Sequence, residues 1–122
     1  MDKLYIQMCR EAEEIRESWE PKSGDLYLGI WRYREKPKMI HPYEVDNTVI
    51  KCDKSRYEFC FWVPRQEDLQ DICRSYFPDA LSMKLNFLNR DFSFEDLNQD
   101  WLVFTMELVY GKIWNGNTWE EI

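Results

Sequence analysis

The chain holds a single histidine and only four glycines in 122 residues, and both scarcities exclude chemistry. Nucleophilic catalysis sets Ser or Cys beside a base that a third group orients. Here the lone His41 precedes Pro42 in an expected loop, and no GxSxG elbow occurs. Phosphate-cradling loops need clustered glycines ahead of a helix, whereas Gly24, Gly29, Gly111 and Gly116 are scattered. Cys9, Cys52, Cys60 and Cys73 form no CxxC pair, so the close ligand pairs of a structural zinc site are missing. No apolar run approaches the roughly 20 residues of a transmembrane helix. Met1-Asp2-Lys3-Leu4 does not open a basic n-region with an apolar stretch behind it. These absences predict a cytoplasmic protein with reduced, packed thiols, no membrane contact, no cofactor, no metal and no catalytic residues.

Aromatic residues are abundant. Six Trp, seven Tyr and seven Phe bring the aromatic share to 16%, within a 44% hydrophobic total. Such a chain can offset the entropy of ordering its backbone, so it folds, and its length fits a single domain over residues 1–122. The formal net charge of -7 repels phosphate, which disfavours direct nucleic-acid binding. It also suits docking on a basic protein surface.

Residues 2–19 read as a helix. Leu4, Met8, Ala12, Ile15 and Trp19 recur at three- and four-residue steps on one face, and Pro21 ends it. From 26 to 63 the pattern turns to strands. Leu26, Leu28 and Ile30 alternate with Tyr27, Gly29 and Trp31, the period of a half-buried strand. Thr48-Val49-Ile50 and residues 57–63 follow, with a hairpin loop at 53–56. Pro64 suits a first helical position, with Leu69, Ile72, Cys73 and Tyr76 as the buried stripe of the helix behind it. Ala80, Leu81, Lys84, Leu85 and Leu88 outline a short helix over 79–88. The last helix takes Ser93 as N-cap with Asp96 three residues on, Leu97, Trp101, Phe104 and Leu108 as one face, and Gly111 as terminator. Asn115-Gly116 marks a turn between Trp114 and Trp119. The expected fold is α+β: an N-terminal helix, an antiparallel sheet of about three to four strands, and about two to three C-terminal helices packed on it.

Four surfaces are candidates for function. In an extended Trp31-Arg32-Tyr33-Arg34-Glu35-Lys36-Pro37-Lys38, the side chains of Arg32, Arg34, Lys36 and Lys38 share one side and Trp31 and Tyr33 the other. That is a candidate nucleotide or small-molecule site, although edge protection explains the same residues better. Val103, Met106 and Tyr110 form a second apolar row on the last helix. A helix apolar on two sides is either central to a core or an interface, so this row is a candidate homodimer or partner contact. Glu13, Glu14 and Glu17, with Glu20, make an acidic ridge that is an ordinary solvated face or a contact for a basic partner. Finally, Glu11, Glu14 and Glu17 resemble half of the ExxE arrangement by which helical nucleotide pyrophosphatases hold magnesium. Asp96 and Asp100 are the nearest second set, and a solvated acidic face is the better reading.

Three stretches, taken together, resemble a known group. They are Glu13-Glu14-Ile15 through Trp19-Glu20-Pro21-Lys22 with Gly24-Asp25, then Trp62-Val63-Pro64-Arg65-Gln66-Glu67-Asp68-Leu69-Gln70, and Tyr110-Gly111-Lys112-Ile113-Trp114-Asn115-Gly116 with Trp119. In that order they are similar to small, largely uncharacterised proteins of phages and prophages of Gram-positive bacteria. The resemblance implies a phage accessory protein in the host cytoplasm, with no catalytic residues to carry over. It further implies a non-enzymatic binder of a host protein, a stoichiometric inhibitor of a nucleic-acid-handling defence system such as CRISPR-Cas. The alternatives are a nucleotide or small-molecule binder using residues 31–38, and a metal-dependent nucleotide hydrolase on the acidic helix.

Overall fold

The computed structural model describes residues 3–31, 43–44, 57–90 and 96–122. Among them are five helices and five short strands, an α+β chain that divides into two compact units, Met1–Pro64 and Arg65–Ile122.

The first unit opens with α1 (Lys3–Glu11) and α2 (Glu13–Ser18), where the sequence predicts one helix. Ala12 separates them: its ψ of 76° leaves helical space, and its N–H reaches back to the Cys9 carbonyl at 3.3 Å. The apolar period survives the break, because Met8, Ala12 and Ile15 are all fully buried, together with Tyr5, Ile6 and Cys9.

After a turn whose Gly24 has φ 92°, β1 (Leu26–Trp31) runs between β2 (Tyr43–Glu44) and β3 (Tyr57–Trp62), antiparallel to both. Tyr27 lies opposite Trp62 and Leu28 opposite Phe61. The half-buried strand expected here is buried on both faces: Tyr27, Leu28 and Gly29 are consecutive and all inaccessible. On β3 and beyond, Phe61, Trp62 and Val63 repeat the pattern. A central strand covered on both sides needs no polar alternation. The strand expected at 48–50 and the hairpin loop at 53–56 lie outside the described residues.

Polar groups pin this unit. The Tyr5 hydroxyl donates to the Pro64 carbonyl. Asp25, 2% exposed, accepts from Trp19 Nε1 at 2.9 Å and from the Lys22 N–H at 3.1 Å. The Trp19 ring so held lies parallel to Trp62, with centroids 6.2 Å apart. Cys60 is disulfide-bonded, which corrects the expectation of four reduced thiols. Spacing alone could not reveal it, since it does not fix which thiols come within bonding distance.

In the second unit α3 (Gln66–Arg74) begins two residues beyond Pro64, with Arg65 as N-cap donating its N–H to Asp68 Oδ2 at 2.8 Å. Leu69 and Cys73 are buried as expected. Tyr76 is exposed, because the helix stops at Arg74 and the stripe stops with it. Helix α4 (Ala80–Leu88) is capped by the Asp79 side chain, which accepts from the Ser82 N–H.

Helix α5 (Leu97–Tyr110) takes Asp96 as its N-cap, accepting from the Asn98 and Gln99 N–H groups at 2.7 and 3.2 Å. Ser93, the expected cap, lies outside the described residues. Gly111, at φ 63°, closes the helix in the left-handed conformation predicted for it. The tail then forms a hairpin of β4 (Lys112–Trp114) and β5 (Trp119–Glu121), in which Trp114 and Trp119 are paired and the Asn115 side chain accepts from the N–H groups of residues 117 and 118.

The core of this unit forms around α5, with Trp101, Leu102, Phe104, Thr105 and Met106 buried on it. The Thr105 hydroxyl donates to the Trp101 carbonyl at 2.7 Å. With that proton committed, the Cys73 thiol 3.2 Å away is the donor to Thr105 Oγ1. Arg90 pairs with Glu107 and lies over the Phe104 ring, 5.3 Å from its centroid. Among the described residues no helix is long and apolar enough to cross a membrane.

Candidate functional site

Helix α4 of the second unit leaves a row of leucines exposed. At 3.6 residues per turn, Leu81, Leu85 and Leu88 fall within about 60° of arc, and Met83 and Phe87 fall on roughly the opposite side. Met83 and Phe87 are the buried pair, and the Phe87 ring stacks on Trp101 at 4.0 Å between centroids, 3° from parallel. The leucine row that announces the helix in the sequence therefore faces outward: Leu81 is 66%, Leu85 51% and Leu88 72% exposed. Leu97, expected on the core face of α5, sits in its first turn at 57% exposure.

Beside this row runs an open cleft of about 300 Å³. Helix α3 supplies Gln66 and Gln70, α4 supplies Lys84, Phe87 and Leu88, and α5 supplies Leu97 and Trp101. The stacked Phe87 and Trp101 give the cleft buried aromatic walls. Among the described residues, Lys84 is its one charged side chain and no carboxylate lines it. The four leucines together expose the equivalent of about two and a half side chains. Full burial of one Leu is worth about 1.5–3 kcal/mol at about 25 cal/mol per Å², so roughly 150–300 Å² of apolar side chain awaits a cover. That is at or below the size of the largest apolar patch on a typical monomer, a patch that is often functional.

The residues singled out from the sequence fall elsewhere. Met106 is fully buried, and Val103 and Tyr110 are half-buried. Met106 is therefore core, and the contact surface expected on the last helix is corrected accordingly. Glu13 and Glu17 on α2 and Glu20 beyond its end are exposed, while Glu14 is half-buried. The backbone of Trp31 closes β1, while Arg32, Tyr33, Arg34, Lys36 and Lys38 lie outside the described residues. Asp96 and Asp100 belong to the second unit and Glu11, Glu14 and Glu17 to the first. Among the described residues no group of three or more His, Cys, Asp or Glu side chains could hold a metal ion.

Asp100 is the one unusual titratable group near the cleft. It is 8% exposed, and its Oδ1 is buried without a hydrogen-bond partner. Burial, and then the charge of Asp96, hold its carboxyl above the usual range. No family model, curated protein or solved structure matches the chain.

Proposed function

We propose that this chain acts by binding another protein, without catalysis, and that the outer face of α4 with the adjoining cleft is its contact surface. The observation that carries the reading is the exposed row of Leu81, Leu85 and Leu88, on a helix whose buried side already has Met83 and Phe87. Solvated helix faces are ordinarily polar, and these leucines add little to their own unit. The partner we propose, on the resemblance to phage and prophage proteins, is a host protein, with stoichiometric inhibition of a nucleic-acid-handling defence system as the activity. The acidic ridge of Glu13, Glu17 and Glu20 supports a second contact with a basic host surface, one that weakens with added salt.

The test is capture from a Gram-positive host lysate with immobilised wild-type protein and Leu85→Glu side by side. One partner recovered in stoichiometric amount by the wild type and lost from the variant is the expected result. Equal recovery by the two proteins, or none by either, sinks the reading.

A further inference from the structure

The chemistry of the cleft specifies its occupant. We infer that it takes an amphipathic α-helix of a partner protein, seated by two or more apolar side chains and by a carboxylate placed against Lys84. This rests on the proposed contact role of the same surface and says what fills it.

Every residue lining the cleft comes from a helix or its first turn. Helices spend their backbone donors and acceptors internally, so the cleft offers no strand edge to an extended peptide. A segment entering an apolar groove must therefore satisfy its own backbone, which a helix does. Leucines at i, i+4 and i+7 form a ridge of the kind that seats in the groove of a second helix, and the partner's apolar row lies against the exposed Leu88 and Leu97 of the cleft. Three helices whose shared groove is left open by the described residues accept a fourth by the packing rules that join them to one another.

Charge settles which helix. Lys84 makes no ion pair among the described residues, and it is the only charge on α4 and on the cleft wall. The rest of an acidic chain would repel an acidic partner, so a local cation among leucines selects a carboxylate at one position and apolar anchors around it. A second copy of this chain fits less well. Its own α4 carries no carboxylate to offer Lys84, and its formal charge of -7 adds repulsion between copies. The exposed apolar patch also falls well below the roughly 800 Å² per partner of a standard stable interface. It suits a short helical segment better than a paired protein.

The probe is a fluorescein-labelled, lactam-stapled peptide of about 16 residues, long enough to hold a helix, with Leu at i, i+4 and i+7. One version carries Glu beside the central Leu and the other carries Lys there. Anisotropy titrations use full-length protein. The Glu peptide should bind at least about 3-fold more tightly than the Lys peptide, the scale of a rim ion pair against its repulsive counterpart. Lys84→Glu should invert that order, Leu85→Glu should abolish both, and both variants should keep the wild-type circular dichroism and melting temperature. Affinities that ignore the peptide's charge, or an order unchanged in Lys84→Glu, overturn the inference. So does no binding of either peptide up to about 1 mM, a concentration that still reports about 4 kcal/mol of affinity. A concentration-dependent dimer that Leu85→Glu dissolves overturns it too, by naming a second copy as the occupant. If the host partner is lost with Leu85→Glu while the peptides show no charge preference, the contact role stands and only this inference falls.

Discussion

Replacing Asp100 by Asn should stabilise the protein at neutral pH and leave it unchanged in acid. The side chain is 8% exposed, and Oδ1 has neither solvent nor a hydrogen-bond donor. An unsatisfied buried polar group costs about 1–3 kcal/mol, more when it is charged. Asparagine keeps the shape and removes the charge but brings two N–H donors of its own, so recovery is partial, about 1 kcal/mol. The sign follows from the carboxyl being held above its ordinary range by burial and by Asp96. A group whose folded pKa is raised contributes stability below its unfolded pKa, near 3.9 for Asp, and that contribution disappears as pH rises through the folded pKa. The wild type therefore carries the penalty at pH 7 and not at pH 3. Scanning calorimetry across this range should show the variant and wild type coinciding in acid. They should then separate to about 3–6 °C in melting temperature at neutral pH, the shift that about 1 kcal/mol produces at this chain length. A variant that is no more stable at pH 7, or a gap that does not change with pH, refutes the account and places an undetected partner at Oδ1.

Two further outcomes separate core from surface. Met106→Ala should cost about 2–5 kcal/mol in urea unfolding, because Met106 is fully buried, whereas Leu85→Glu should stay within about 0.5 kcal/mol of the wild type. The reverse order would return the contact surface to α5. Cys9 and Cys73 are free and buried, and burial raises both thiols against the smaller opposing effect of the neighbouring Tyr5 and Thr105 hydroxyls. Neither should react with Ellman's reagent in the native protein at pH 8, and both should react after denaturation. Prompt native labelling of either would contradict the packing described around it.

Much of the local architecture was legible because it depends on neighbours in sequence. Gly111 as terminator of α5, the Asn115-Gly116 turn, and the buried Met8, Ala12 and Ile15 all follow from local dihedral preference or a 3.6-residue period. Three kinds of information were not local. The break at Ala12 runs against local propensity, since alanine is the best helix former, so nothing in the neighbouring sequence announces it. The burial of β1 on both faces depends on what covers the sheet, which alternation within one strand cannot report. The disulfide at Cys60 turns on which thiols come within bonding distance, which no helical period or dihedral preference reports.

Which helix rows are buried was hard to read for the same reason. Periodicity says that a helix has a stripe and leaves open whether neighbours meet it. On α5, Val103, Met106 and Tyr110 gave a second row that suggested an interface, yet Met106 is fully buried, because a helix central to its unit has core on more than one side. On α4 the strongest row, Leu81, Leu85 and Leu88, turned out to be the outer one. Met83 and Phe87 face inward, and the stack of Phe87 on Trp101 shows why: an aromatic pair buries more apolar surface than a leucine could against the same wall. A signal able to distinguish these cases exists in the sequence. Helix α4 carries one charge in nine residues, in a chain that is 32% charged, so it had too few polar side chains to clothe any outer face. A short amphipathic helix at the surface normally draws its polar face from that reservoir. Without one, such a helix either sits in the centre of a core or leaves apolar surface exposed, and the exposure of Leu81, Leu85 and Leu88 shows that α4 does the second.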